Sequence, residues 1–519
     1  MARRLLWVGL AALAIAAVTA LIFLIRAGDP GATNWPINFE LQSSDNGVLF
    51  QFSQDVFDGR ALDWSFSPQV FVFPEIPISL IAYLLAGGTV QLYYLFVAAI
   101  YNAIMFLGLF AVIRYLFARE SLWQRLARAA IAMFPLLLLP LLGNTWLFEY
   151  ALAPTYYFGM YVMIVIAPLL FFPCRPWVKV TIGVGLALTA ASNPLVLLFV
   201  LPAFACVLLV RGLAGGFRSV ARPAAWAGGV VVLAVLIRLA FFGRLQGQSP
   251  FDYVSTSIFS GRIEVIASYL QSLLGTPVTA VVLIVGTALA AAGLVVAIVL
   301  AVKLIRRRIP NRAIQATALY YSLVPVTGLV ATIALLITDY LYLWPVIVLP
   351  LMLVLLPLPR SWVPWALDVT VLALIVAGAI TGAAANLDSV NTYFTYRSAE
   401  TQCLDSKLPP GMTVGYATFS DARRLELTSQ RGFRLIQLKT SGVRAYWLTN
   451  RDYARDNVGR FFYINQHGDE APINTAYLTS RFGQPDATFS CGPGQNVLIY
   501  TDPTKLAKIK ARYSTLPAP

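Results

Sequence analysis

The chain has 519 residues, of which 58% are hydrophobic and 12% are charged, and its mean hydropathy is +0.71. A soluble domain usually carries about 25% charged residues. The composition therefore excludes a soluble enzyme, a disordered protein and a secreted disulfide scaffold, and it predicts a polytopic membrane protein.

The net charge of +14 is not the signature of a nucleic-acid-binding protein. Residues 1–383 contain 22 Lys and Arg against 13 Asp and Glu, and most of the basic residues stand in short segments between apolar runs. Cytoplasmic loops of membrane proteins are enriched in Lys and Arg. The charge therefore indicates orientation in the bilayer, and no nucleic-acid partner is expected.

The first apolar run, Leu5–Ile25, follows Arg3 and Arg4, which places the N-terminus in the cytoplasm. A cleaved signal peptide is the alternative, because Val18-Thr19-Ala20 resembles a cleavage site. A membrane-spanning helix needs about 20 apolar residues, and ten further runs approach or meet that length: Leu92–Phe117, Ala129–Leu147, Tyr156–Phe172, Val178–Ser192, Leu195–Val210, Ala224–Phe242, Val278–Val302, Ala313–Ile337, Leu341–Leu358 and Val363–Ile380.

Alternate threading of these eleven spans sorts the charges by side. It places 17 basic residues of residues 1–383 inside and five outside, whereas 11 of the 13 acids fall outside. The segment Val178–Val210 allows two readings, a shallow hairpin of two spans or one helix broken at Ser192-Asn193-Pro194. We predict the hairpin, because Arg175 and Arg211 flank the segment on what should be one side.

Eleven spans place residues 384–519 outside the membrane, as a small α+β domain. Short β-like runs occur at Met412–Phe419, Phe433–Leu438, Arg444–Leu448, Arg460–Ile464 and Asn496–Tyr500, with a helix at Ile473–Arg481. Cys403 and Cys491 both lie in this tail, and cysteine pairs in oxidising compartments commonly form disulfides. We therefore predict a bridge between them, with two unrelated thiols as the alternative.

Several catalytic classes are excluded by what the sequence lacks. His467 is the single histidine and lies in the tail, where we expect it on a surface loop. A histidine-rich zinc centre and a Ser-His-Asp triad are therefore excluded from the membrane part. The chain has no glycine-rich nucleotide loop of the Walker type, so ATP-driven transport by this chain is not expected.

The first outer loop, residues 26–91, concentrates acids and aromatic residues. Six of its acids, Glu40, Asp45, Asp55, Asp58, Asp63 and Glu75, fall within 36 residues, and the loop also holds nine Trp and Phe residues. Such a loop suits a segment at the level of the lipid headgroups. Asp45–Phe57 is predicted to form an amphipathic helix with Leu49, Phe52 and Val56 on one face. Asp45 would then lie near its N-cap, and capping alone would explain that residue.

The order of these motifs resembles a known family. Asp45-Asn46-Gly47, the aromatic helix to Phe57, then Gly59, Trp64, Phe73-Pro74-Glu75-Ile76-Pro77 and Gly87-Gly88 lead into a span with a basic end. This pattern, over about Ser44–Arg119, is similar to the GT-C superfamily of polyprenyl-phosphate-sugar glycosyltransferases, which includes protein O-mannosyltransferases and aminoarabinose transferases. The chain has a lone Asp45 where protein mannosyltransferases have a paired acid, and it lacks the Trp-Trp-Asp signature of oligosaccharyltransferases.

The resemblance implies an enzyme of the bacterial inner (plasma) membrane that transfers a sugar from a polyprenyl-phosphate donor to an envelope glycan, lipid or protein, with inversion. Asp45 would be the base, and Glu75 would orient the acceptor or stabilise the developing sugar cation. Expected substrate-binding residues are Arg60, Arg238, Arg244, Arg262, Glu149, Asp339 and Tyr340. The carboxylates would allow a divalent cation, but no ligand spacing requires one.

Two other functions remain open on the sequence. A transporter or flippase of a lipid-linked substrate would favour charges within the spans and inverted repeats. A non-enzymatic envelope protein would use the tail to bind a partner and the spans as an anchor. The acids concentrate in one outer loop and no repeat is visible, which favours the enzyme.

Overall fold

The computed structural model of the chain describes residues 2–27, 47–66, 70–142, 152, 157–242, 277–306, 312–334, 343–354, 387–444, 448–450, 452–453, 459–467 and 471–514. This part is mostly helical, with a small sheet region towards the C-terminus. Within these ranges, seven helices are long and apolar enough to cross a membrane, judged by length and composition. The protein is therefore a helical membrane protein with a mixed α and β tail.

The helices of residues 2–354 follow the predicted apolar runs closely. They are α1 Ala2–Ala27, α2 Gly47–Phe57, α3 Glu75–Leu85, α4 Val90–Leu116, α5 Leu122–Leu138, α6 Phe158–Ile166, α7 Pro176–Ser192, α8 Leu195–Gly215, α9 Ala221–Ile237, α10 Pro277–Ile305, α11 Arg312–Ala334 and α12 Trp344–Val354. Turns of 3-10 helix extend α5 to Leu142 and α6 to Phe171, and a π turn, Arg238–Phe242, extends α9.

The count of eleven spans stays a prediction. In the described ranges, α6 with its extension, α7 and α12 are shorter than a full crossing, and the predicted run Val363–Ile380 lies outside those ranges. The segment Val178–Val210 forms two helices, because α7 ends at Ser192 and α8 begins at Leu195. Asn193, at the break, has extended backbone angles, and its side chain accepts a hydrogen bond from the Leu195 amide.

The helices pack around aromatic contacts. Tyr101 of α4 stacks on Phe158 of α6 with ring centroids 3.9 Å apart, and Tyr161 of α6 stacks on Trp344 of α12 at 4.4 Å. Stacked aromatic rings bury large areas and prefer defined geometry. The short helix α6 is therefore held between α4 and α12, which places its N-terminal end beside the outer loop.

The tail contains the predicted α+β fold. Its strands are β2 Val414–Ala417, β3 Arg434–Gln437, β4 Thr449–Asn450, β5 Arg460–Asn465, β6 Ala487–Gly492 and β7 Gln495–Tyr500. A mixed sheet has the order β3-β2-β5-β7-β6, in which β2 runs parallel to β3 and β5 while the remaining pairs are antiparallel. Apolar clusters cover both of its faces. The tail helices are α13 Leu387–Thr395, α14 Ala399–Lys407, α15 Phe419–Leu427, α16 Thr475–Phe482 and α17 Pro503–Ser514.

Several tail elements differ from the prediction: the helices α13, α14, α15 and α17 were not predicted, and two strands also differ. The run Arg444–Leu448 is no strand in its described residues: Arg444 only bridges Leu438, and Leu448 has a positive φ of 49°. Strand pairing begins one residue later, where β4 joins a strand of the outer loop, β1 Trp64–Ser65, in an antiparallel pair. The strand β6 was not predicted, because it is a half-exposed edge strand without a continuous apolar run.

The outer loop is packed between the helix bundle and the tail. Phe50, Trp64, Phe66 and Phe71 are buried in the protein, and the position of this loop at the headgroup level stays a prediction. The expected single apolar face of α2 is also wrong: Leu49 is buried, but Phe52 and Val56 are only partly so, whereas the polar residues Gln51, Ser53 and Asp55 are buried. Contacts on two sides of α2 explain this pattern, because one side of the helix packs against the tail and the other side packs against α3.

Candidate active site

The predicted site residue Glu75 is the first residue of α3 and is 2% exposed. One of its carboxyl oxygens, Oε1, accepts a hydrogen bond of 3.0 Å from the backbone amide of Gly159, at the start of α6. Burial raises the pKa of Glu75 to about 8, and the hydrogen bond from Gly159 opposes part of that rise. At neutral pH the Glu75 carboxyl is therefore largely protonated and is able to donate a hydrogen bond.

Gly159 permits this contact because it has no side chain. A Cβ atom at this position would lie 2.2 Å from Cδ of Pro74 and 3.0 Å from Oε1 of Glu75. No real Cβ atom approaches a carbon that closely. The start of α6 therefore reaches the Pro74-Glu75 corner only through a glycine.

The end of α7 joins a second predicted site residue to the same corner. The Ser192 hydroxyl accepts a hydrogen bond of 2.9 Å from the backbone amide of Phe73, and the Ser192 carbonyl accepts one of 2.9 Å from Val70. Next to it, the Ala191 carbonyl accepts a hydrogen bond of 2.7 Å from Nη1 of Arg238. We call this region, defined by Phe73, Glu75, Gly159, Ser192 and Arg238, the outer corner.

Arg238 is half-buried at the end of α9, and its guanidinium binds a carbonyl in the last turn of α7. The last carbonyls of a helix lack intrahelical partners and carry partial negative charge, so they attract cations. A charged residue within an apolar run usually faces a cavity, or its side chain reaches towards the nearby membrane surface. The contact with Ala191 gives the guanidinium a polar protein partner and holds its cation beside the Phe73-Glu75 segment.

Arg60, predicted to bind a lipid phosphate, contacts groups of the protein. Its Nε atom lies 3.9 Å from Oδ1 of Asp55, and its guanidinium lies over the Tyr453 ring at 5.8 Å. The side chain remains one-third exposed. Arg60 therefore belongs to the contact between the outer loop and the tail.

The sequence did not single out Asp55, although the structure surrounds it with polar groups. Its Oδ2 atom accepts hydrogen bonds from Trp64, Asn450 and Tyr453, and its Oδ1 atom faces Arg60 and Arg434. A buried carboxylate is costly unless it is paired and hydrogen-bonded, and Asp55 meets this requirement. The available signal was the spacing of Gln51 and Asp55, two polar residues one helical turn apart within an aromatic helix.

Six predicted site residues lie outside the described residues: Asp45, Arg244, Arg262, Glu149, Asp339 and Tyr340. Their roles stay predictions. His467 is exposed, as expected. Among the described residues no group of three or more His, Cys, Asp or Glu side chains is arranged to hold a metal ion.

Cys403 and Cys491 form a disulfide that joins α14 to β6. Cys174 and Cys206, in the helix bundle, are free thiols. The bridge closes a loop with a sequence separation of 88 residues and ties the edge strand of the sheet to the helix that precedes the first tail strand.

The chain is similar in structure to a known protein, although comparisons of its sequence show no match. No protein-family model matches the chain, and no curated protein matches it. Among solved structures, the chain is similar to the crystal structure of the Archaeoglobus fulgidus oligosaccharyltransferase, described as a complex with Zn and sulfate. The identity is 13%, the TM-score is 0.42, and the alignment covers 86% of this chain and 67% of that chain. The chemistry of the site must therefore be argued from the residues of this chain.

Proposed function

We propose that this protein is a membrane glycosyltransferase that transfers a sugar from a polyprenyl-phosphate-linked donor to an envelope glycan, lipid or protein acceptor outside the plasma membrane. The observation that supports it best is the outer corner. There a buried carboxyl, Glu75, and a cation, Arg238, are connected through adjacent residues at the end of α7. An acid and a cation at the ends of apolar helices suit a reaction between a lipid phosphate and a hydroxyl group.

The proposed reaction is a direct displacement. The acceptor oxygen forms a bond to the anomeric carbon while the bond from that carbon to the phosphate oxygen breaks, and the electron pair leaves with the lipid phosphate. The acceptor hydroxyl loses its proton to a carboxylate, a role that we assign to Asp45. One displacement inverts the configuration at the anomeric carbon. Arg238, with Arg244 and Arg262, would bind the leaving phosphate, because guanidinium groups pair well with phosphate oxygens.

The protonation of Glu75 narrows its role. A carboxyl with a pKa of about 8 is mostly neutral at pH 7, so it would stabilise a developing sugar cation poorly. A neutral carboxyl can instead donate a hydrogen bond to a hydroxyl or to a phosphate oxygen. We therefore assign to Glu75 the orientation of the acceptor or of the leaving phosphate, with Asp45 as the base.

The deciding experiment is a transfer assay on the purified full-length protein in lipid nanodiscs. Labelled polyprenyl-phosphate sugars are incubated with envelope glycan, lipid and peptide acceptors, using the wild type and the variants Asp45→Asn and Glu75→Gln. Asp388→Asn, which alters an exposed carboxylate of α13, is the matched control. General-base catalysis typically contributes about 100-fold or more, so we expect Asp45→Asn to lose at least that much while the control keeps full turnover.

Three outcomes would contradict the proposal in whole or in part. Wild-type turnover by Asp45→Asn would reject the assigned base. No turnover of any donor by the wild type, together with movement of the labelled lipid across vesicle bilayers, would favour the transporter, whereas neither activity would favour an envelope binding protein.

A further inference from the structure

The helix α2 lies between the tail and α3 and presents a different polar stripe to each. Gln51 and Asp55 are one helical turn apart and face the tail. On the other side, the Ser53 hydroxyl and, one turn before it, the backbone carbonyl of Leu49 contact Ser79 of α3. Side chains separated by four residues share a helix face, so α2 is a spacer with one polar row for each neighbour.

The tail-facing stripe has its strongest contacts at Asp55. Its Oδ2 atom accepts hydrogen bonds of 2.7 Å from the Tyr453 hydroxyl, 2.8 Å from Asn450 Nδ2 and 3.1 Å from Trp64 Nε1. Two of these donors belong to the tail and one to the outer loop. Hydrogen bonds to a charged acceptor are about twice as strong as neutral ones, so one carboxylate fastens α2, β1 and the tail together.

Charged groups around Asp55 reinforce this junction. The Arg434 guanidinium of β3 lies 3.8 Å from Oδ1 of Asp55 and 3.4 Å from Oδ2 of Asp58. Gln51 Oε1 accepts a hydrogen bond of 2.6 Å from Arg423, and the same guanidinium contacts Glu426 at 2.6 Å. The negative charges of the acids at this junction are paired with the positive charges of the arginines. Moving the tail away from α2 would leave buried charges unpaired, which is costly.

The α3-facing stripe connects this junction to the outer corner. Ser53 Oγ lies 2.7 Å from Ser79 Oγ, and the Ser79 hydroxyl also contacts the Leu49 carbonyl at 2.9 Å and the Tyr93 hydroxyl at 2.8 Å. Ser79 lies one turn after Glu75 on the buried side of α3. Polar contacts on two faces of α2 therefore join this one helix to Tyr453 of the tail and to the helix that carries Glu75.

We propose that Asp55 is a positioning residue through which the tail sets the placement of α3, and with it the Glu75 carboxyl, for glycosyl transfer. The inference rests on the proposed function for its catalytic meaning. The tail is then a structural part of the transfer site, in addition to any acceptor that it binds. Asp55 itself is too deeply buried to touch substrate, because the side chain has no exposed surface.

The test uses two tyrosine variants that remove the same chemical group. Tyr453→Phe deletes the hydroxyl that donates to Asp55, whereas Tyr513→Phe deletes a buried hydroxyl that donates to the Gly442 carbonyl within the tail. Hydrogen–deuterium exchange of the full-length protein is measured over α2 and α3. Loss of a hydrogen bond to a charged group should raise exchange there about ten-fold in Tyr453→Phe, with no change in these helices in Tyr513→Phe.

A double-mutant cycle supplies the kinetic readout. Transfer is measured for Tyr453→Phe, Ser79→Ala and the double variant with the best donor found in the panel. We expect lower kcat with little change in KM for the donor, and a combined loss smaller, by about three-fold or more, than the product of the single losses. The pair Tyr513→Phe and Ser79→Ala should show no such coupling.

The two proposals fail differently. Equal exchange in α2 and α3 for the two tyrosine variants, or independent effects of Tyr453→Phe and Ser79→Ala, would overturn the positioning role while leaving transfer intact. Failure of the wild type to transfer any sugar would reject the proposed function and the catalytic meaning of the link, even if the exchange data showed that the tail holds α3.

Discussion

Glu75 accepts its hydrogen bond from the backbone amide of Gly159 at 3.0 Å, across 84 residues of sequence. The contact joins the outer loop to the start of α6 inside a buried environment. A carboxyl group in such a place is stable as the neutral acid, and ionisation there is costly. The contact therefore predicts both a pH dependence and a strict requirement at Gly159.

Stability should fall as the pH rises from about 5 to 9. The pKa of Glu75 is raised from 4.5 to about 8 by burial, so the unfolded chain releases this proton more readily than the folded one, and folding is penalised progressively as the pH passes through that interval. Glu75→Gln keeps an oxygen for the Gly159 amide and cannot ionise. Thermal unfolding in nanodiscs should show that the wild type loses several degrees between pH 6 and 9 relative to this variant, and parallel curves would contradict the assignment.

Gly159→Ala should destabilise the protein by about 1–3 kcal/mol, the usual cost of overpacking. The new Cβ would lie 2.2 Å from Pro74 Cδ, so α6 or the Pro74-Glu75 corner must move. Gly228→Ala in α9 is the control, since nothing lies within 4 Å of a Cβ there. Thermal unfolding of both variants tests this prediction. Equal stability of Gly159→Ala and Gly228→Ala would show that the Pro74-Glu75 corner accommodates the new methyl group without loss of stability.

Asp55→Asn should cost about 3–5 kcal/mol, whereas Asp58→Asn should cost about 1 kcal/mol or less. Both carboxylates lie near Arg434, but Asp55 has no exposed surface and Asp58 is 46% exposed. An asparagine at 55 can still accept the three hydrogen bonds but removes the one fully buried negative charge of the two that face the Arg434 guanidinium. Limited proteolysis at several denaturant concentrations measures the release of the tail. Similar protection in the two variants would contradict the predicted difference in stability.

Arg238→Gln should raise the KM for the lipid-linked donor about ten-fold, in line with the loss of one charge-assisted contact to phosphate. The amide of glutamine can still donate to the Ala191 carbonyl, so the variant removes charge with little change in packing. Arg222→Gln, at an exposed position near the other end of α9, is the control. A change in stability with an unchanged KM would assign Arg238 to the fold alone.

The disulfide should form only if the tail is outside the cytoplasm. A reporter fused after Asn386 should be active only in an oxidising compartment. Cys403→Ser should destabilise the tail by about 2–4 kcal/mol, since it opens a long loop, while Cys206→Ser, at an exposed thiol of α8, should not. Gel mobility with and without reductant measures the bridge, and a reporter active in the cytoplasm would invert the predicted topology.

Much of the fold was predictable because the signals are local. Apolar runs such as Leu92–Phe117 and Leu195–Val210 coincide with α4 and α8, since a long apolar run forms a helix whatever its neighbours. The strand at Arg460–Asn465 likewise matches its β-like composition. Edge strand β6 was missed because its residues are only half-buried, so no apolar pattern marks it.

The sequence by itself determined that the chain is a helical membrane protein with an α+β tail, and it predicted Glu75 and Arg238 as site residues. Only the tertiary structure decided that these two share one corner, and that Asp55 joins the tail to α2. The physical reason is distance along the chain. Asp55 and Tyr453 are 398 residues apart, and no periodicity or composition records such a contact, because it depends on how distant parts of the chain pack.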